Sequence, residues 1–366
     1  MIKVLHVVSS LDGGGVESML YNYYMHMDRQ KIKFDFIVHG DSIGILEKEV
    51  NSLGSKIFHV VPKKISFIRN ILEINKILRN EKYDIVHCHQ NFSNFSTLFL
   101  AKKNQVPIRI SHAHGYKETR SFKELIRNHF LRLINKFWAN YFLSCGIDAG
   151  KWLHGKKWYP SEKNVIINNA IDTKKFSYNL KIRETYRKIL NVQNKTVLLH
   201  VGRFSNEKNH LFMIDIIEYL SQQNNDKYIL LFAGDGPIKN AVKKHVEKKN
   251  VEDKVIFLGV RNDVMELMNA ADVFLFPSKH EGFGIVTIEA QSTGLGVLAS
   301  DRVTKETAVT NLIEFLPIEN AVIWANKVSE TKILSRRSRE VDVGKKGYSI
   351  NEQAIKYSQW LERITT

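Results

Sequence analysis

Apolar residues fall along this chain in short, nearly continuous runs, separated by longer stretches in which they recur every three or four positions. The runs Val4–Ser9, Phe34–Val38, Ile57–Val60, Ile85–His87, Ile108–Ser111 and Tyr141–Ser144 predict strands, and Glu17–Met27 and Ile68–Asn80 between them predict helices. A second series runs through Thr196–Val201, Ile229–Ala233, Val255–Phe257, Val273–Pro277 and Val297–Ala299, again with helical segments between. Apolar strands alternating with helices belong to parallel sheets covered on both faces. Because the series occurs twice, the pattern predicts an α/β chain of two Rossmann-like domains facing a cleft. Residues 1–170 form the first and 171–349 the second, with the irregular "INNAIDTKKF" and a charged helix-like run near Lys181–Leu190 at the junction. The final "INEQAIKYSQWLERI" has helical spacing, and residues 350–366 are expected to pack back on the first domain.

Composition changes this picture little. At 366 residues, 43% hydrophobic and 25% charged, the chain has the make-up of a soluble globular protein. No apolar run nears the ~20 residues of a spanning helix. The stretch Lys3 to Val8 is too short for the apolar core of a signal peptide. Cys88 and Cys145 stand far apart without metal-site spacing, which fits a reducing cytoplasm.

Charge changes it more. The net charge of +16 calls for an acidic partner, and residues 61–140 hold 15 Lys/Arg against 5 Asp/Glu. Within them "FKELIRNHFLRLINKFW" sets Phe122, Leu125, Ile126, Phe130, Leu133, Ile134 and Phe137 at helical spacing, with Lys123, Arg127, Arg132 and Lys136 interspersed. One reading is an amphipathic helix docked on its own core. The other is a basic surface resting on anionic lipid, a peripheral hold on the inner face of the cell membrane. No nucleic-acid-binding module accompanies the charge, so nucleic acid is not expected as a partner.

Candidate chemistry begins at "KVLHVVSSLDGGGVES". Gly13, Gly14 and Gly15 follow a strand and precede a helix, where backbone can approach an anion. As a dinucleotide fingerprint the run is incomplete, since Ser18 stands where the third glycine belongs and no clear acid ends the second strand. A simple tight turn would explain it equally. The second half has a counterpart, "LLHVGRFSNEKNH", in which Arg203 and Lys208 follow a glycine turn; two cations beside a helix N-terminus suit a diphosphate. Further on, "HEGFGIVTIEAQ" sets Glu281 at the mouth of a helix and Glu289 one to two turns inside it, with Gly282 and Gly284 between. Such a pair can accept hydrogen bonds from sugar hydroxyls; an isolated capping acid and a solvated one is the plainer reading. His87 with His89, and His112 with His114, each stand two apart at a strand end. Four histidines are raw material for zinc, but nothing in the pattern predicts their convergence and there is no Asp-x-Asp pair, so no metal is expected.

Taken together, Glu281 and Glu289, "GRFSNEKN", "GDGP", "FLGVRNDV" and "GGGVES" resemble the retaining glycosyltransferases of family 4, which have the GT-B fold. The resemblance covers nearly the whole chain, and "ASDRVTKETAVTNLIEFLPI" is most similar to the branch that builds bacterial exopolysaccharide and capsule. It implies a hexosyltransferase using a nucleotide-sugar donor, with uridine as the base that the branch suggests. The acceptor would be a saccharide or a lipid-linked saccharide. By the same resemblance Arg203 and Lys208 bind the donor diphosphate, Glu289 the ribose, and Glu281 the transferred sugar, while backbone near Gly259 and Arg261 lines the base. His114 of "SHAHGY" is placed at a sugar hydroxyl, with His112 and His89 secondary and His87 equally a core residue. Gly14 and Gly15 are implied to approach the donor phosphates or the acceptor. The expected donor site thus comprises Gly14, Gly15, Gly202, Arg203, Lys208, Gly259, Arg261, Glu281, Gly282, Phe283, Gly284 and Glu289. Glu281, His114, Arg203 and Lys208 would stand nearest the chemistry, and no cofactor or metal is implied. Two departures, Ala170 in "NNAID" and Gly296 after "TGL", touch only the linker and one loop. A sugar-nucleotide epimerase of the same fold, a nicotinamide-dependent dehydrogenase with a broken fingerprint, and a non-catalytic basic binding protein are the alternatives. A mass change in an acceptor would separate the glycosyltransferase from the epimerase, absence of cofactor fluorescence or reduction from the dehydrogenase, and salt-sensitive binding without hydrolysis or transfer would mark the binding protein.

Overall fold

The structure, a computed structural model, describes residues 1–115, 121–223, 227–331 and 336–366. The chain divides into two compact units, Met1–Ala170 with Ser349–Thr366, and Ile171–Tyr348.

The first unit carries seven strands: β1 Ile2–Val7, β2 Ile32–His39, β3 Ile57–Val60, β4 Ile85–Cys88, β5 Ile108–Ala113, β6 Tyr141–Ser144 and β7 Asn164–Ile166. They form one parallel sheet in the order β3-β2-β1-β4-β5-β6-β7. Its helices are α1 Gly15–His26, α2 Glu47–Ser52, α3 Phe67–Asn80, α4 Asn94–Lys103, α5 Phe122–Trp138 and α6 Ile147–His154. Alternate residues of the strands supply two cores. Val4, Phe34 and Phe36 bury with Tyr23 and Tyr24 of α1 on one face. Leu5, Val7, Ile37 and Val86 bury with α3 and α4 residues on the other. Ser66 caps α3 by accepting from the Arg69 amide, and Ser121 caps α5 by accepting from the Glu124 amide at 3.2 Å.

The second unit opens with α7 Leu180–Ile189 and has six strands: β8 Thr196–Val201, β9 Tyr228–Ala233, β10 Val255–Gly259, β11 Val273–Phe276, β12 Gly296–Ser300 and β13 Ile313–Leu316. Their order is β10-β9-β8-β11-β12-β13, again parallel throughout. The covering helices are α8 His210–Gln223, α9 Lys239–Lys248, α10 Val264–Ala270, α11 Ile285–Ser292, α12 Ala321–Glu330 and the short α13 Glu340–Val343. Strands β9 and β11 are buried along their whole length, which is why they read as unbroken apolar runs.

The last helix, α14 Ile350–Thr365, belongs to the first unit and packs on α1. It sets Trp360 edge-on to Tyr141, ring centroids 5.6 Å apart, and buries Ile350, Ala354, Tyr357 and Leu361. Both sheets reverse their strand order at one point, between β1 and β4 and between β8 and β11. In open parallel sheets the crevice at the carboxyl ends of such a pair is where ligands bind.

Candidate functional site

In the second unit Gly202 follows β8 and β11 leads to the loop Ser278–Gly284, so the glycine turn and the acidic loop leave neighbouring strands at the switch point. The turn is held by backbone: Gly202 N–H donates to Ala233 O at 3.0 Å, and Phe204 N–H to Asp235 O at 2.9 Å. Gly234 in "GDGP" is required there, because a Cβ on it would stand 2.0 Å from the Gly202 carbonyl oxygen. His200 and His210 bury beneath the turn, unpredicted from the sequence, and burial together with the Lys208 charge holds His210 down to about 4.

Lys208 and Glu281, 73 residues apart, form a partly buried ion pair, and the Lys208 ammonium lies 4.8 Å from the centre of the Phe276 ring. Arg203 is exposed and makes no ion pair among the described residues. Glu281 also accepts from the Gly282 amide at 3.2 Å. Gly284, at φ +86°, caps α11 in the left-handed region, a conformation only glycine holds without strain, and so turns the loop into the helix. Glu289 lies one turn inside α11, and its carboxylate has no hydrogen-bond donor among the described residues. Burial pushes its carboxyl up to about 7, with Lys175 pulling the other way. Phe283 is buried and stacks on Tyr348 at 6.0 Å, so its loop offers backbone rather than that ring. At the end of β10, the Gly259 carbonyl accepts from Gly234 N–H at 2.7 Å, and Arg261 is exposed and paired with Asp263, Nε to Oδ1 at 2.7 Å.

In the first unit Gly14 caps α1 and Gly15 opens it, and the Glu17 carboxylate folds back so that a Cβ on Gly14 would meet it at 2.6 Å. Burial, with Asp12 nearby, raises the Glu17 carboxyl above its usual range.

The histidines converge, which nothing in the sequence pattern predicts. His6 on β1, which sequence reasoning passed over, joins His87 and His89 from β4 and His112 and His114 from β5. His6 Nδ1 is 3.0 Å from His89 Nε2, and His89 Nδ1 is 2.6 Å from His114 Nε2. The Tyr357 hydroxyl is 3.1 Å from His87 Nδ1, whose Nε2 is 3.0 Å from His112 Nδ1. The hydroxyl has one proton to give and no other acceptor among the described residues, so it donates, and His87 then donates from Nε2. Burial holds all five imidazoles neutral, His6 and His114 down to about 3, and neighbouring rings add to it for His6, His87, His89 and His112. Two sets, His6–His87–His89 and His89–His112–His114, bring three ring nitrogens within 4.8 Å and could hold a metal ion. Here most of those nitrogens hydrogen-bond one another. Tyr116, which closes "SHAHGY", lies outside the described residues.

Helix α5 has its polar face inward. Asn128 and Asn135 are its buried residues, Asn135 Nδ2 donating to Phe92 O at 3.2 Å and Arg132 to the carbonyls of Trp152 and Leu153. Phe122, Phe130 and Phe137 are 75%, 62% and 66% exposed, and Leu125, Ile126 and Leu133 are exposed beside them. The apolar stripe therefore does not dock on the protein's own core. Arg132, counted among the lipid-facing cations from the sequence, instead serves the inner face; Lys123, Arg127 and Lys136 remain outside. Helix α4 packs between α3 and α5, so Phe67, Ile68 and Leu72 of α3 and Phe99 of α4 extend the exposed apolar layer. Among the described residues no helix is long and apolar enough to cross a membrane.

Residues 13–175 match the sequence family described as Glycosyltransferase Family 4, and residues 182–312 that described as Glycosyl transferases group 1. The putative glycosyltransferase EpsF of Bacillus subtilis is 30% identical over 347 residues, 92% of this chain and 90% of that protein. The UDP-Gal:alpha-D-GlcNAc-diphosphoundecaprenol alpha-1,3-galactosyltransferase of Escherichia coli is 28% identical over 75% of this chain and 74% of its own. Among solved structures, Anabaena HepE in complex with UDP and glucose superposes with a TM-score of 0.72 at 17% identity, over 100% of this chain and 98% of that one, a likeness of fold. With two parallel doubly wound sheets, family matches in both units and a 30% identical relative along nearly its whole length, the chain belongs to the family 4 glycosyltransferases of GT-B fold.

Proposed function

We propose that this glycosyltransferase moves a sugar from a uridine-diphosphate sugar to a lipid-linked saccharide in exopolysaccharide or capsule assembly, with retention and without a metal ion, while docked on an anionic bilayer. The observation that carries the donor half is the meeting of Lys208 and Glu281 at the switch point of the second unit, with Arg203 and the α11 N-terminus on the same pair of loops. When the donor binds, Lys208 exchanges Glu281 for the diphosphate, and the released carboxylate accepts from the hydroxyls of the sugar. The nucleotide departs as an anion, so fixed positive charge lowers the barrier most. Arg203, Lys208 and the helix N-terminus supply it where a divalent ion otherwise would. The sugar passes through an oxocarbenium-like state. The acceptor hydroxyl attacks on the face the nucleotide leaves, its proton passing to the departing diphosphate oxygen as the bond to the sugar forms, and Glu289 takes the ribose hydroxyls. His114 offers a ring nitrogen to a sugar hydroxyl.

The lipid-linked acceptor is supported by the outward apolar stripe of α5 with its three outer cations, and by what the E. coli relative is named for using. A bilayer is the solvent that suits such a stripe.

The test is a thermal-shift panel of UDP, GDP, ADP and their sugars, then a transfer assay with the preferred sugar nucleotide and a membrane extract as acceptor. The right nucleotide at a hundredfold its dissociation constant should add about 2.7 kcal/mol. Arg203→Ala and Lys208→Ala should each lower turnover by about a hundredfold or more while the protein melts as before. EDTA should leave turnover intact. Full turnover in either variant would mean the donor site is elsewhere, and loss on chelation, restored by one added ion, would make the histidine cluster or the donor diphosphate a metal site.

A further inference from the structure

Lys63 follows β3 by three residues, at the carboxyl edge of the first sheet. Its ammonium is partly buried and donates to Gln90 Oε1 at 3.0 Å and to Ser93 O at 2.8 Å. Both acceptors are neutral, and no carboxylate among the described residues pairs with it. Burial holds its ammonium down to about 8. Two of its three N–H groups are committed and one is left. A cation drawn out of water without a counterion is costly in the free protein, and a ligand that brings the negative charge relieves that cost.

What surrounds Lys63 says what kind of anion. The amides of Ile65 and Ser66 both donate to Pro62 O, at 2.9 and 3.1 Å, a tight turn that sets Lys63 and the exposed Lys64 just before the N-terminus of α3. The chain beyond then faces outward with apolar side chains: Ile65, Phe67, and Ile68 and Leu72 at 72% and 61% exposure. A positive station followed by an unpartnered apolar slope matches an amphiphile with an anionic head and a hydrocarbon tail. Bulk lipid asks only for exposed cations, such as those of α5; it gives no reason to hold one lysine in a neutral, half-buried socket at the sheet's ligand-binding edge.

We infer that Lys63 and the apolar slope of α3 bind the diphosphate and the first part of the hydrocarbon chain of the lipid-linked acceptor. This rests on the lipid-linked acceptor proposed above and adds where its headgroup is read. Lys63 is a specificity residue: it distinguishes a diphosphate-linked acceptor from an otherwise identical free saccharide.

The experiment titrates the full-length chain with three probes: farnesyl diphosphate below its micelle concentration, farnesol and inorganic pyrophosphate. Farnesyl diphosphate should bind best. Lys63→Gln should weaken it by about tenfold or more, as loss of a charge-assisted contact does, and Lys63→Arg should restore most of the affinity. Ile68→Ser with Leu72→Ser should weaken farnesyl diphosphate but not pyrophosphate. The calorimetric transition of the first unit should persist in all variants and reports that each one folds, and UDP binding, proposed for the other unit, should be unchanged. Should Lys63→Gln not fold, Gln90→Glu places a carboxylate beside Lys63 and should reject the probe equally. Farnesyl diphosphate that binds with the same affinity to Lys63→Gln as to the parent overturns the inference and leaves the lipid-linked acceptor standing. Pyrophosphate bound as tightly as farnesyl diphosphate through Lys63 marks a free phosphate site and also overturns it. No binding of farnesyl diphosphate, together with transfer to a free saccharide, sinks the acceptor reading itself.

Discussion

Glu289 is the residue at which the proposed donor site is most sensitive to solution conditions. Its carboxyl keeps a proton up to about 7 because burial disfavours the charge. The folded chain therefore holds a proton there that the unfolded chain releases near pH 4.5, and this group's contribution to stability falls as pH rises between those values. Binding runs the other way, because only the carboxylate can accept from both ribose hydroxyls. Affinity for the UDP-sugar that the thermal-shift panel selects, a diphosphate diester that does not itself titrate in this range, should rise by up to about tenfold per pH unit from pH 5.5 toward 7 and level off above 8. Calorimetric titrations across that range check it. Glu289→Gln should bind more weakly and show no such slope; an unchanged slope in that variant assigns the titration to another group. That Glu281 and Glu289 share one loop and helix could be read from their spacing. That Glu281 holds Lys208 could not, because 73 residues of intervening chain leave the pairing to the order of the strands.

At the level of the element, α5 shows what periodicity determines and what it leaves open. The spacing of Phe122, Leu125, Ile126, Phe130, Leu133 and Phe137 makes an apolar stripe certain once the segment is helical. Which way the stripe faces depends on what the opposite face finds: Arg132 and Asn135 donate to backbone carbonyls of the first unit, and the buried Asn128 accepts from Arg127 of the same helix. The full-length chain should sediment with vesicles containing anionic lipid at low salt, leave them at high salt, and ignore neutral ones. Each outer cation near the surface is worth about 1 kcal/mol, so Lys123, Arg127 and Lys136 replaced together by Gln should lower the partition by about two orders of magnitude. Phe130→Ser with Phe137→Ser should lower it further without touching UDP binding. Arg132→Gln, by contrast, should lower the melting temperature more than it lowers vesicle binding. Indifference of the triple variant to lipid charge would rule the face out as a membrane contact.

For the whole molecule the decisive feature is that the first unit is built from both ends of the chain. The chain leaves it at Ala170 and returns at Ser349, and α14 then supplies Ile350, Ala354, Tyr357, Trp360 and Leu361 to its core. Trp360→Ala should cost about 3–5 kcal/mol, as large aromatic truncations in cores do. A chain ending at Tyr348 should lose the cooperative melting of the first unit. It also loses the hydroxyl that orients His87. The second unit owes none of its core to α14, so the shortened chain should still show a stabilising shift with UDP. Two unaltered transitions in calorimetry of the shortened chain would contradict this account of the core.

Much of the architecture was legible because buried parallel strands leave so plain a trace. β3, β6 and β8 were predicted to the residue, and most other strands to within two. The omissions were β7 and β13, each at the edge of its sheet and only three or four residues long. β3 is an equally short edge strand but reads "IFHV", whereas "NVI" has only two apolar residues and "IEFL" is broken by Glu314, so these two carry too little pattern to stand out. The sequence by itself determined the alternation of strand and helix, the repetition that makes two sheets, and the local geometry of the glycine turns, since these rest on periodicity and on backbone freedom over a few residues. Only the tertiary structure decided what those elements bring together. His6 reads in sequence as one more strand residue; it meets His89 because β1 and β4 are neighbours at the point where strand order reverses. Lys63, too, is an ordinary surface lysine until Gln90 and Ser93 close over it. Periodicity acts between residues a few positions apart, whereas these contacts join residues 27 to 83 positions apart, and strand order alone sets that distance in space.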